Sequence, residues 1–156
     1  MTTDSARRRT GTPSAAARTS RGARAGAAAA HRWPTLLALA LGAATFADGL
    51  PGRGFLAGLL VVMPVCYLLF GAFRRAFGGT RMVAVQLAGL LVFGAAAAVA
   101  VSVGESAGLR LLAAGWAGHA VWDFVHHRTG RVVPRAWSEW CCVVDLCGAA
   151  ALFAWS

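Results

Sequence analysis

The chain has 156 residues, a net charge of +9 and a hydrophobic fraction of 58%, yet only 13% of its residues are charged. Soluble domains carry about 25% charged residues, and so short a chain could not bury this much apolar surface in a water-soluble fold. Every basic residue is Arg, and these lie in the leading tail or between apolar segments rather than along one face. That distribution speaks for a lipid bilayer as partner and against nucleic acid.

Residues 1–31 are rich in Ala, Arg, Ser, Thr and Gly and lack apolar periodicity. They read as a disordered basic cytoplasmic tail. Residues 32–156 form the transmembrane domain, with apolar segments at about 33–50, 55–73, 82–104, 106–125 and 134–156. The second and third are free of charge and match the roughly 20 residues that cross a hydrocarbon core. The fourth carries Arg110 and Asp123, and the fifth Glu139 and Asp145. The first reads as a retained helix; a cleaved signal ending near Thr45-Phe46-Ala47 is the alternative. The expected fold is all-α, an integral membrane bundle of five transmembrane helices.

Arg placement gives an orientation independent of hydropathy. Arg53 and Arg110 fall on one side, and the other thirteen Arg on the opposite side. Positive charge marks the cytoplasmic face, so the N-terminus is inside and the C-terminus outside the cell (plasma) membrane. Trp33, Trp137 and Trp140 lie near cytoplasmic ends and Trp155 near the outer end, where indoles favour the interface. Small residues, among them Ala95 to Ala98, Gly115 and Gly118, allow close helix approach. Cys66, Cys141, Cys142 and Cys147 lack zinc-ribbon spacing and read as small apolar residues. No span contains the Lys that a retinal Schiff base needs.

The densest chemistry is in the fourth segment, where His119, Asp123, His126 and His127 stand at offsets 0, 4, 7 and 8. On an α-helix they fall within a sector of about 100°. In the fifth segment Ser138, Cys141, Cys142 and Asp145 also share a face, with Glu139 off to the side. A rise of about 1.5 Å per residue brings His119 and Asp145 to similar depth on neighbouring antiparallel helices. Asp145 needs a partner most, since an unpaired Asp near a helix centre costs about 2.5 to 3.5 kcal/mol.

Three readings of the cluster compete. In the structural one, His119 pairs with Asp145, and Asp123 holds His126 or His127. In the metal one, His119, Asp123, His127 and Asp145 are ligands, with His126 as the alternative, and Zn, Mn or Fe suits two imidazoles with carboxylates. In the third, His119 and Asp145 are the candidate catalytic pair and move a proton. Elsewhere, Asp48 reads as interfacial or capping, Glu105 as a charge favoured by the helix dipole, His31 as solvated, and Tyr67 as interfacial or packing, with the bundle interior within its reach.

The segment HAVWDFVHHRTGRVVPRAWSEWCCVVDL resembles a group of small bacterial integral membrane proteins of actinobacterial type. These carry His-x-x-x-Asp-x-x-His-His, then Val-Pro-Arg, then a Cys- and Asp-bearing last helix. The matching positions are His119, Asp123, His126, His127, Val133, Pro134, Arg135, Cys141 and Asp145. The resemblance covers about the last forty residues. It implies that the cluster is one unit and carries no activity with it.

Two functional classes fit. One is an enzyme whose metal or acid/base site serves a lipid-soluble substrate entering between helices. The other is a non-enzymatic membrane partner or small transporter component in which the cluster is structural. Five short helices make a small bundle, so a homo-oligomer is the natural way to enclose a pathway.

Overall fold

A computed structural model describes residues 32–156. The Arg/Ala-rich tail, expected to be disordered, lies outside the described residues. Those described form five helices and no strand: α1 (Trp33–Phe46), α2 (Arg53–Phe73), α3 (Thr80–Ser102), α4 (Glu105–Thr129) and α5 (Arg135–Ala154). Helices α2, α3 and α5 are long and apolar enough to cross a membrane. Helix α1 is shorter, and α4 is long but interrupted by charge.

The helix ends follow local chemistry. Helix α1 stops at Phe46 rather than at the expected Leu50. Gly49 there adopts a φ of 114°, and Pro51 follows without an N–H to continue the ladder. Helix α4 runs past the expected 125 to Thr129 because no breaker intervenes before Gly130, which closes it with a left-handed φ of 63°. At the far end of α3, the Arg53 guanidinium donates to the Val103 and Val101 carbonyls at 2.9 and 3.4 Å. A cation there complements the negative end of the helix dipole.

The bundle is built around α4. Its pairing with α5 is the most extensive, and α3 and α2 also pack on it. Two glycines permit close approaches between helices. A Cβ at Gly148 would lie 2.2 Å from the Trp116 ring, and one at Gly108 would lie 2.3 Å from the Ala100 carbonyl oxygen. Leu56, Leu60, Leu112, Trp116 and Leu152 form the main apolar core. A second, smaller core joins Tyr67 to Val132 and Val133 of the α4–α5 loop.

Polarity is arranged inside out. Leu37, Phe55, Leu91, Val121, Phe124, Leu146 and Phe153 point outward, while His119, Asp123, His126, Gln86, Ser138 and Asp145 are buried. On α4 the two classes sit on opposite faces, with Val121 and Phe124 turned away from His119 and His126.

Candidate functional site

The buried face of α4 recurs at helical spacing: Leu109, Leu112, Trp116, His119, Asp123 and His126. His119 and Asp123 therefore point inward for the same reason as Trp116. On α5, Ser138, Cys141, Asp145, Gly148 and Leu152 form the answering stripe. The two stripes meet, and the polar members of each find one another.

His119, Asp123 and Asp145 are wholly buried. His119 Nδ1 donates to Asp145 Oδ2 at 2.7 Å and lies 3.5 Å from Asp123 Oδ1. A single imidazole nitrogen thus faces two carboxylates from two helices. A third helix contributes Tyr67, whose hydroxyl donates to Asp123 Oδ1 at 2.5 Å. One potential ligand atom from each of His119, Asp123 and Asp145 lies within 4.8 Å of the others. Among the described residues these are the His, Cys, Asp and Glu side chains close enough to share an ion.

Hydrogen bonding within the cluster is incomplete. His119 Nε2, Asp123 Oδ2 and Asp145 Oδ1 are buried without a partner. Each cluster residue therefore spends one polar atom on its neighbours and keeps another free. Buried polar atoms ordinarily find partners, and here three adjoining residues each leave one atom without. No protein-family model, curated protein or solved structure matches this chain. The reading of the site rests on its own chemistry.

The remaining histidines separate. His126 is buried beside the cluster; the Gln86 amide N–H donates to its Nε2 at 2.9 Å, and its own Nδ1–H donates to the Trp122 carbonyl at 2.9 Å. Both ring nitrogens are occupied. His127 is half-buried, and its Nδ1–H donates to the Arg135 carbonyl at 3.1 Å. It does not join the three-residue cluster. The cause is helical phase: His126 stands about 20° around the helix from His119, and His127 about 80°. Asp123 holds neither of them, because Tyr67 and His119 take that position.

Tyr67 and Gln86 are the site residues that reading the sequence missed. Tyr67 belongs neither to an interface nor to simple packing; it donates to a buried carboxylate and stacks edge-on to His126 at 4.9 Å. The signal was available. Tyr67 is the chain's only Tyr, and Gln86 is an amide within an uncharged apolar run. Glu139, off the main face, pairs instead with the Thr35 hydroxyl of α1.

Proposed function

We propose that the chain is a five-span integral membrane protein of the cell membrane, with its N-terminus inside, and that His119, Asp123 and Asp145 form a divalent metal site between α2, α4 and α5. The membrane reading is supported by large apolar side chains outward on every helix while His119, Asp123, His126 and Asp145 are buried. On this reading the chain belongs with the small bacterial membrane proteins that its last forty residues resemble.

The observation that carries the metal reading is the set of three buried residues, each with one polar atom left unpartnered. Charge points the same way. Two carboxylates and a neutral imidazole balance one divalent cation, and among the described residues no Arg is bonded to either carboxylate. Zn, Mn or Fe suits one nitrogen and two carboxylate oxygens. Donors stand about 2.0–2.2 Å from such an ion, so the present spread of 4.8 Å must contract slightly on binding. Three protein donors leave a coordination position for water or substrate, the pattern of a Lewis-acid site.

A second reading is favoured by one contact. The His119–Asp145 bond at 2.7 Å already forms an acid/base dyad without a metal. The two readings separate in a melting experiment on the full chain in detergent. A metal that binds only the folded state raises the melting temperature with its concentration. Zn, Mn or Fe is expected to raise it, and His119→Ala to abolish the effect. A melting temperature indifferent to all three ions leaves the dyad.

A further inference from the structure

Two loops at one end of the bundle carry cations without acids. Residues 74–79, between α2 and α3, and 130–134, between α4 and α5, contain three Arg and no Asp or Glu. The loops are tied together, because the Arg74 guanidinium donates to the Val132 carbonyl at 3.2 Å. Val132 and Val133 are wholly buried, and Phe77 and Met82 pack against the same small core. The Phe77 ring also covers Gly71, where an added Cβ would lie 2.3 Å from it. Backbone on both sides is thus anchored, while Arg81 and Arg131 are exposed.

A cavity of about 710 Å³ opens here, lined by Arg81 from the first turn of α3 and by Arg131 from the α4–α5 loop. No carboxylate lines it. Among the described residues neither guanidinium has a carboxylate within salt-bridge distance. The α3 N-terminus adds to the positive potential, since Gly79 supplies no side-chain cap and the first turn holds no acid. The other wall is apolar, formed by Phe77, Met82 and Val85. At 1.5 Å per residue, Val85 stands about 6 Å along α3 from Arg81. Helix α3 is long and apolar enough to cross a membrane. The cavity therefore starts at a charged helix end and continues onto the flank of an apolar one.

We propose that this cavity binds a phosphate group, that of an anionic phospholipid, at the Arg81 and Arg131 guanidiniums, with the lipid's glycerol and first methylenes against Phe77, Met82 and Val85. A guanidinium presents paired N–H donors that match phosphate oxygens. Two guanidiniums exceed the charge of one phosphodiester, so a head group that brings its own cation is disfavoured. A free phosphate would use the arginines and leave the apolar wall uncovered. The inference rests on the membrane reading and not on the metal one, since His119, Asp123 and Asp145 do not line the cavity.

The test uses the full chain in a neutral detergent at about 0.15 M salt, with radiolabelled dioleoylphosphatidylglycerol as probe. Saturable binding of one per chain is expected, with dioleoylphosphatidylcholine at least about tenfold weaker. Inorganic phosphate at the lipid's own concentration is expected to displace little of it. Arg81→Gln with Arg131→Gln is expected to weaken phosphatidylglycerol by at least about tenfold while the unfolding transition is retained. Arg75→Gln with Arg128→Gln removes as much charge from outside the cavity and is expected to weaken it by less than about threefold. A chain that stays folded and dissolved without detergent overturns the membrane reading and the lipid with it. A chain folded in detergent that binds no phosphatidylglycerol saturably overturns this proposal alone. So does phosphatidylcholine binding as tightly, full displacement by inorganic phosphate, or an equal effect of the two double variants.

Discussion

His119 Nδ1 donates to Asp145 Oδ2 across 2.7 Å, with neither side chain reaching solvent. The bond joins the two helices that pack most extensively. It also leaves Asp145 Oδ1 buried without a hydrogen-bond partner. One carboxylate thus holds the bundle together and presents chemistry.

Breaking that pair from one side strands a buried polar partner. His119→Ala is expected to lower the stability of the detergent-solubilised protein by about 3 kcal/mol. Replacing both His119 and Asp145 by Leu should recover most of the loss, since Asp145 is no longer stranded and Asp123 keeps its Tyr67 donor. Equilibrium unfolding of the three variants checks this; a single variant as stable as wild type would show that the pair contributes nothing.

Tyr67→Phe deletes one hydroxyl and leaves Asp123 without its donor. A hydrogen bond to a charged group contributes about 1.5–3 kcal/mol, and a loss in that range is expected on unfolding. Combined with Asp123→Ala, the joint loss should be smaller than the sum of the separate losses, because both substitutions remove the same bond. Strict additivity would place Tyr67 outside the site.

Gly148→Ala drives a methyl into the Trp116 ring, whose Nε1 donates to the Leu56 carbonyl at 3.3 Å. Overpacking of this kind costs about 1–3 kcal/mol. Gly58, in α2, has nothing within 4 Å of an added Cβ. Gly58→Ala should be neutral or stabilising by up to about 1 kcal/mol. The contrast, measured by thermal unfolding, isolates packing from helix propensity.

The proposed orientation carries its own test. A fluorescent protein that matures only in the cytoplasm should stay dark when fused after Ser156 and glow when fused in the Arg74–Arg81 loop. Fluorescence from the C-terminal fusion would remove one span or invert the bundle.

Much of the helical pattern was legible in the sequence because apolar runs and breakers are local signals. Gly130 and Pro51 mark ends that need no tertiary information. The pairing of His119 with Asp145 was legible for a related reason: two antiparallel helices with a short loop fix relative depth. Azimuth was harder. A sector of about 100° admitted His127, whereas the buried stripe on α4 is narrow enough to exclude it. Tyr67 and Gln86 were invisible as partners because they reach Asp123 and His126 from α2 and α3, 56 and 40 positions away. Nothing local in either segment encodes such a meeting.

The most direct test of the metal site is elemental analysis of the full chain, purified without chelator or affinity metal, beside His119→Ala and Asp145→Ala. The account predicts about one Zn, Mn or Fe per wild-type chain and a near-complete loss in both variants. Wild-type protein that is folded and metal-free, or variants that keep the metal, would contradict it.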